Sequence, residues 1–154
     1  MNPPLNSGEL EAMHAALDEA RAAALAREVP VGAVVVQDGV IVTRAQNRMR
    51  RDNDATAHAE VLALRGAMRL LGEDRLVDCT LVVTLEPCAM CAGGIVLARL
   101  PRVVFGAWDD KAGMCGSVGD LIRHPRLNHR PEVVAGVLDD DCSALLRDFF
   151  ARRR

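Results

Sequence analysis

Two short segments combine histidine, glutamate and cysteine at spacings that suit a metal site. Ala57-His58-Ala59-Glu60 begins one predicted helix, and Pro87-Cys88-Ala89-Met90-Cys91 begins another. Two cysteines three positions apart in a first helical turn point their sulfurs to the same side, where the helix N-terminus favours the metal-binding thiolate. One histidine and two thiolates make a three-ligand zinc site. Its fourth position is left for water, as in catalytic rather than structural zinc sites.

Glu60 follows His58 by two residues, so its carboxylate is expected to lie near the metal without binding it. A carboxylate in that place can take a proton from water and pass it to a substrate nitrogen. These are the parts of hydrolytic deamination, in which hydroxide attacks an amino-bearing ring carbon and ammonia leaves. The pattern H-x-E…P-C-x-x-C is the known signature of zinc deaminases.

Two other interpretations of the cysteine motif remain open. A C-x-x-C pair alone is also typical of thioredoxin-like redox sites, although the H-x-E motif and the preceding proline count against that. A closed structural zinc site is the stronger rival, because Cys79 or Cys115 offers a fourth thiolate. Glu60 would then have no task. Outside such a site, Cys79, Cys115 and Cys142 are interpreted as small buried residues.

The apolar pattern predicts helices that alternate with short apolar strands. The predicted helices cover residues 9–28 (capped by Asn6 or Ser7), 58–71, 87–99 and 140–150, and the predicted strands cover residues 31–36, 40–42, 80–85, 102–107 and 132–137. A polar, arginine-rich loop is predicted from Arg44 to Asp54. This alternation indicates a three-layer α/β/α domain with a central mixed five-stranded sheet, whose later strands are parallel. The length of 154 residues predicts one domain over 1–154.

The composition limits how the chain can bind nucleic acid. Lys+Arg 19 against Asp+Glu 21 gives net charge −2, which excludes a grip by overall positive charge but permits local patches. With three Phe, one Trp and no Tyr, a platform that stacks several bases is not expected. Arginines gather in three clusters, at 44–51, 123–130 and 152–154. Such clusters are typical of solvated faces, or of phosphate contacts around a pocket that takes one extruded base.

No secretory signal follows Met1, and no apolar run approaches the ~18 residues of a membrane span. The odd cysteine count fits a reduced compartment. We therefore expect a cytoplasmic protein without a membrane segment.

Along essentially its whole length, the sequence resembles the bacterial tRNA-specific adenosine deaminases (the TadA family), in the cytidine/deoxycytidylate deaminase superfamily. The segments that carry the resemblance are Arg27–Ala33, Asn47-Arg48, Thr56–Glu60, Thr84–Gly93, Arg102–Ala107, Asn128–Arg130 and Asp148–Phe150. The zinc motif alone identifies the superfamily. Asn47-Arg48, residues 109–117 and Phe149-Phe150 narrow the resemblance to this family.

The resemblance implies a cytidine-deaminase-like fold and hydrolysis of adenosine to inosine at the wobble position of a tRNA anticodon, most often of an arginine tRNA. His58, Cys88 and Cys91 would bind one zinc ion per chain, and Glu60 would carry protons. Members of the family are homodimers, and Gly93-Gly94 would let another helix approach closely. Alanine is found at position 55, where relatives usually have proline. The loss of the proline loosens that loop.

The resemblance also implies which residues bind the substrate. Asn47 matches an asparagine that holds the purine, although from the sequence alone it is equally a turn residue. Val29 and Leu85 match apolar walls of the base pocket, and Asp109 matches an aspartate that contacts the RNA backbone. Ala59 and Phe149 complete the predicted substrate contacts. The predicted RNA-binding arginines are Arg48, Arg123, Arg126, Arg130 and Arg153.

Two other functions stay open at this point. One is a free-base or nucleotide deaminase of the same superfamily, acting on guanine or a pyrimidine. The other is a non-catalytic, zinc-stabilised RNA-binding subunit. Relatives of that second kind lack the proton-carrying glutamate, which this sequence keeps as Glu60.

Overall fold

The computed structural model describes residues 2–153 and confirms the α/β class. The helices are α1 (Glu9–Leu25), α2 (Ala59–Leu71), α3 (Ala89–Leu97) and α4 (Asp139–Ala151). The strands are β1 (Gly32–Gln37), β2 (Val40–Gln46), β3 (Cys79–Leu85), β4 (Arg102–Ala107) and β5 (Glu132–Val134). A 3-10 turn spans Leu121–Arg123. Of the predicted terminal arginine cluster, Arg154 lies outside the described residues.

The five strands form one mixed sheet in the order β2-β1-β3-β4-β5. Strand β1 runs antiparallel to both β2 and β3, whereas β3, β4 and β5 are parallel. The predicted mixed sheet with parallel later strands is therefore confirmed. Because β3 and β4 are parallel, the segments that follow Leu85 and Ala107 leave the sheet at the same edge. In open α/β sheets this carboxyl edge is where ligands bind.

Alternating side chains of the strands separate two apolar layers. Val34, Val82 and Val104 face one cluster, which includes Met13 and Leu17 of α1. Their neighbours Val35, Val83 and Phe105 face the other cluster, with Leu64 of α2 and Ile95 of α3. The predicted three layers are confirmed. Gly32 permits the close packing of β1 on α1, because a Cβ there would lie 1.9 Å from the carbonyl oxygen of Ala16.

The hairpin between β1 and β2 turns at Asp38 and Gly39, with φ of 52° and 77°. Two consecutive positive φ values are typical of the tight type I′ turn that matches strand twist. Strand β2 continues to Gln46, so the predicted start of the polar loop at Arg44 is wrong. Pairing with β1 satisfies the backbone groups on one side of this edge strand, despite its polar composition.

Several predicted boundaries are also wrong. Helix α1 ends at Leu25 because the chain reverses at Arg27, where φ is 64°. Its N-cap is Gly8 instead of Asn6 or Ser7. Pro87 lies before the N-cap of α3 and not within its first turn. Within residues 2–153, no helix has the length and apolar character needed to cross a membrane.

Candidate active site

The N-termini of two helices meet at the carboxyl edge of the sheet and bring the predicted metal ligands together. His58 is the N-cap of α2 and Cys88 the N-cap of α3, and neither side chain makes a capping hydrogen bond. Cys91 follows in the first turn of α3. Both N-cap side chains face the shared site instead of their own helices. The positive ends of the two helix dipoles favour thiolates there.

The spacing of the three ligand atoms fits zinc. Nδ1 of His58 lies 3.6 Å from Sγ of Cys88 and 3.5 Å from Sγ of Cys91. A tetrahedral zinc ion, with bonds of about 2.0–2.1 Å to nitrogen and about 2.3 Å to sulfur, holds such ligands roughly 3.6 Å apart. Within residues 2–153, no fourth protein ligand belongs to this group. Cys79 and Cys115 are buried outside it, which counts against the closed structural site.

The pKa values of the two thiols move in opposite directions. A hydrogen bond from the Cys91 thiol and a further one from His58 lower the pKa of Cys88 to about 3. The same bond and burial raise the pKa of Cys91. The hydrogen bond with Cys88 also raises the pKa of His58. One sulfur of the pair is therefore already ionised, as a metal ligand must be.

Glu60 lies in the first turn of α2 and is buried beside the three ligands. Burial raises the pKa of its carboxyl to about 7, against the opposing effects of its own backbone N–H and of His58. A carboxyl group that titrates near neutral pH can both accept and donate a proton.

A cavity of about 150 Å³ opens onto the ligand cluster. It is lined by His58, Glu60 and Cys88, together with four of the predicted substrate residues: Val29, Asn47, Leu85 and Asp109. Apolar walls with a few polar groups are typical of a pocket for a small planar ligand.

Asn47 is nearly buried and uses its side-chain amide twice. Its Oδ1 accepts a hydrogen bond from the N–H of Ala59, and its Nδ2 donates to the carbonyl oxygen of Val29 at 3.2 Å. The first of these bonds satisfies an otherwise orphan donor at the start of α2. One amide hydrogen and one lone pair of this cavity-lining side chain remain unused by these two bonds.

Two predicted substrate residues lie outside this cavity. Ala59 is fully buried, with its side chain in the core. Phe149 lines a separate groove of about 520 Å³ between α1 and α4, together with Arg27, Arg152 and Arg153. That groove is larger than the cavity at the ligand cluster, but none of His58, Cys88 and Cys91 lines it. Contact of either residue with substrate stays a prediction.

The comparisons with known proteins agree with this geometry. The family described as "Cytidine and deoxycytidylate deaminase zinc-binding region" matches residues 7–107. The tRNA-specific adenosine deaminase of Bacillus subtilis (strain 168) is 46% identical over 142 residues, which cover 92% of this chain and 88% of that protein. That of Agrobacterium fabrum (strain C58) is 44% identical, over 92% of this chain and 93% of that protein. The chain belongs to the tRNA-specific adenosine deaminase family.

Two solved structures of related deaminases share the fold of this chain. One comes from studies of A-to-I editing by tRNA:A34 deaminases. It is 43% identical with a TM-score of 0.86, and the match covers 88% of this chain and 99% of that chain. Another is a guanine deaminase from Nitrosomonas europaea. It is 26% identical with a TM-score of 0.82, over 97% of this chain and 88% of that chain. Likeness of fold alone therefore does not decide the substrate.

The arginines predicted to bind RNA differ in how much of their hydrogen-bonding capacity is already used. Arg48 pairs with Asp52, and Arg123 bonds to Asp120 and to the carbonyl oxygen of Cys115. Arg130 donates to two carbonyl oxygens of its own loop. The guanidinium of Arg153 lies 4.7 Å from the ring centre of Phe149. Arg126 and Arg153 are the two of the five whose guanidinium groups make no hydrogen bond or ion pair within residues 2–153, and Arg126 also lacks an aromatic contact there.

Sequence reasoning missed two buried carboxylates of this deaminase-family site. Glu86 lines the cavity, and Glu28 accepts hydrogen bonds from the N–H groups of Arg50 and Arg51. Although burial opposes it, hydrogen bonds from Asp109, Cys115 and Ser117 lower the pKa of Glu86. A signal was present for Glu86, since it is a charged residue directly after a strand of apolar side chains.

Proposed function

We propose that the protein hydrolyses adenosine to inosine at wobble position 34 of a tRNA anticodon, most often that of an arginine tRNA. The observation that carries this proposal is the family match across 92% of the chain, in a fold that brings Glu60 beside a zinc-ligand cluster. Since tRNA is a cytoplasmic substrate, a cytoplasmic location goes with the proposal.

The ligand cluster and Glu60 divide the chemistry between them. His58, Cys88 and Cys91 would hold zinc, which when bound supplies Lewis-acid activation of water near neutral pH. Glu60 accepts the proton that this water loses and delivers it to the exocyclic amino nitrogen. The water oxygen bonds to the amino-bearing carbon, one water proton ends on the adjacent ring nitrogen and the other leaves with the amino group as ammonia, so that inosine remains. The raised pKa of Glu60, about 7, suits both transfers.

The cavity suits a single extruded base. Val29 and Leu85 offer apolar walls, and the remaining hydrogen-bonding capacity of Asn47 offers one donor and one acceptor to a purine edge. Asp109 is a partly exposed residue of the cavity lining, and its Oδ1 accepts hydrogen bonds from the N–H groups of Lys111 and Ala112. The bonding within the loop holds the carboxylate in place for contact with the RNA backbone beside the extruded nucleotide.

The groove between α1 and α4 supports an extended RNA contact. It combines the apolar ring of Phe149 with Arg27, Arg152 and Arg153. Arginine donors suit phosphates, and an aromatic ring suits a stacked base. Arg27 lies two residues before Val29, so the groove and the cavity share one chain segment. We propose that the anticodon loop spans both.

The homodimer is proposed to form through α2 and α3. A shallow groove of about 220 Å³ lies between these helices, lined by apolar residues that include Leu64, Gly94 and Leu97. Leu97 is 75% exposed in the single chain. A large exposed leucine beside a glycine is a suitable contact for a second helix.

A free-base deaminase is the second candidate, and the likeness to a guanine deaminase favours it. Ammonia release separates the two. We expect release from an anticodon stem-loop of arginine tRNA with adenosine at the wobble position, and none from guanine or cytidine. The same stem-loop with guanosine at that position is the matched control. Release from guanine and none from the adenosine stem-loop would support the free-base enzyme and contradict our proposal.

A further inference from the structure

Glu86 connects the end of β3 to the loop that carries Asp109. It lies between Leu85, the last residue of β3, and Pro87, which precedes the zinc ligand Cys88. Its side chain is 1% exposed. The Oε1 atom accepts a hydrogen bond from the N–H of Asp109 at 2.9 Å and another from the Ser117 hydroxyl. A single carboxylate oxygen therefore bonds to both ends of the 109–117 loop.

The second oxygen fixes the loop at two further points. Oε2 accepts from the N–H of Cys115 at 2.9 Å and from the N–H of Ser117 at 3.0 Å. No arginine or lysine forms an ion pair with Glu86 within residues 2–153, so these N–H groups and the Ser117 hydroxyl compensate its buried charge. A ring of N–H groups around an oxyanion is a well-known way to stabilise it.

The 109–117 loop packs closely around the Glu86 carboxylate, so that position 113, in the middle of the loop, has no room for a side chain. A Cβ on Gly113 would lie 2.2 Å from Cδ of Glu86. The N–H of Met114 also donates to the carbonyl oxygen of Pro87, at 2.9 Å. The 109–117 loop is therefore held by the same two residues that lead into Cys88. Its position relative to the zinc ligands is set by Glu86-Pro87.

We propose that Glu86 is a positioning residue, whose buried carboxylate fixes the 109–117 loop so that Asp109 meets the RNA backbone at the cavity mouth. The inference rests on the proposed function. Glu86 acts on RNA affinity through Asp109, whereas the zinc ligands and Glu60 act on the chemical step.

The substitution Glu86→Gln tests this role almost without changing the volume of the side chain. The amide replaces one acceptor oxygen by an NH₂ group, which cannot accept from a backbone N–H. At the Oε2 position this group would face two N–H donors. At the Oε1 position it would face one N–H and the Ser117 hydroxyl, which can turn to accept. Glutamine is therefore expected to place its NH₂ group at the Oε1 position, which releases the N–H of Asp109.

Steady-state deamination of the arginine stem-loop measures the effect. Because a hydrogen bond to a charged group is lost, we expect Glu86→Gln to raise KM roughly tenfold, with kcat changed less than about threefold. In an Asp109→Ala background the same substitution should change KM less than about twofold, because the carboxylate through which Glu86 affects RNA binding is then absent. A fall in kcat at constant KM would overturn the inference. So would an equal rise in KM on Glu86→Gln in the native protein and in the Asp109→Ala background.

Glu9→Gln is the matched control. Glu9 is also a buried glutamate, but its hydrogen bonds go to Arg102 and the N–H of Asn6, away from the cavity. The substitution Glu9→Gln should lower the stability of the protein and leave KM and kcat unchanged. If Glu86→Gln fails to fold, Ser117→Ala removes one donor only and should raise KM about twofold to threefold. An unchanged KM in Ser117→Ala would then contradict the inference.

Amide hydrogen exchange separates failure of this inference from failure of the proposed function. The amide of Asp109 should exchange slowly in the native protein and at least about tenfold faster in Glu86→Gln, but not in Glu9→Gln. The amides of Cys115 and Ser117 should change less, because the remaining side-chain oxygen still accepts from them. Faster exchange without any deamination by the native protein would contradict the proposed function and, with it, the role in RNA affinity. Unchanged exchange alongside normal deamination would overturn the inference about Glu86 alone.

Discussion

Oδ1 of Asn47 accepts a hydrogen bond from the backbone N–H of Ala59 at 2.8 Å, which joins the cavity wall to the first residue of α2. Glu60 is the next residue, so the side chain predicted to hold the purine also fixes the backbone beside the proton carrier. If Asn47 holds the purine, this bond links base binding to the position of Glu60. Its loss should affect both substrate affinity and stability.

The substitution Asn47→Ala removes this bond and leaves the N–H of Ala59 buried without an acceptor. We expect the free energy of unfolding to fall by about 1–3 kcal/mol, the cost of an unsatisfied buried group. We also expect kcat/KM for the stem-loop to fall. Urea denaturation measures the first effect. Asn128→Ala is the control, because Asn128 is exposed, and equal stability of both variants would contradict the proposed coupling.

Cysteine reactivity tests the charge distribution in the zinc-free protein. Because the pKa of Cys88 is lowered to about 3, this half-buried thiol is ionised across pH 5–7. Iodoacetamide should modify Cys88 at a rate that is nearly independent of pH in that range. Burial raises the pKa of Cys142 to about 12 and also raises those of Cys79 and Cys115, so these should stay unmodified.

Mass spectrometry of peptides identifies the modified cysteine. Zinc should protect Cys88 because its sulfur is then a ligand. Treatment with a chelator should restore the reaction. Faster modification of Cys142 than of Cys88, or modification of Cys88 that zinc does not slow, would contradict this assignment.

The salt dependence of RNA binding tests the arginine surface. Arg126 is exposed, and its guanidinium is not used in bonds to the described part of the chain. If it contacts a phosphate, Arg126→Ala should reduce the slope of log affinity against log salt by about 1. Arg21→Ala is the control, since Arg21 pairs with Asp18 on α1. Equal slopes for the native protein and Arg126→Ala would remove Arg126 from the interface.

The proposed dimer predicts a difference between two exposed leucines. Leu97→Glu should convert the dimer to a monomer, because it adds a charge to the groove between α2 and α3. Leu70→Glu should not, since Leu70 is 69% exposed but does not line that groove. Light scattering gives the molecular mass. A dimer that survives Leu97→Glu would exclude this face as the interface.

Glu60→Gln isolates the proton carrier. The amide cannot accept the proton from water, so kcat should fall by about 10²–10⁴, whereas zinc content and stem-loop affinity stay near their native values. Glu73→Gln, on the exposed segment after α2, is the control and should keep full activity. A kcat within twofold of the native value in Glu60→Gln would remove Glu60 from the mechanism.

The sequence predicted the class of fold and the ligand cluster because both follow from local patterns. Apolar periodicity identified helices α1 to α4 and strands β1 to β5 but not the 3-10 turn at Leu121–Arg123, and the H-x-E and C-x-x-C spacings identified His58, Cys88 and Cys91. Strand order was left open because it depends on packing between distant segments. The end of α1 was wrong because the reversal at Arg27 requires a positive φ at a residue that carries no such signal.

The cavity was predicted only in part. The resemblance to the family indicated Val29, Asn47, Leu85 and Asp109, which line it, but not Glu86. The role of Glu86 depends on N–H donors from residues 109–117, and no pattern in one sequence indicates where a loop will fold back. In the same way, the sequence clustered Arg123 and Arg130 as RNA contacts, whereas the structure uses both guanidinium groups in bonds to nearby carbonyl oxygens.

The central claim is zinc-dependent deamination of the wobble adenosine, and sequencing of the product RNA tests it most directly. The zinc-loaded protein, with about one ion per chain, is incubated with an unmodified arginine tRNA transcript that carries adenosine at the wobble position. We predict inosine at that position with the native protein and adenosine with Glu60→Gln. Unchanged adenosine with the native protein, while metal analysis shows zinc bound, would contradict the claim.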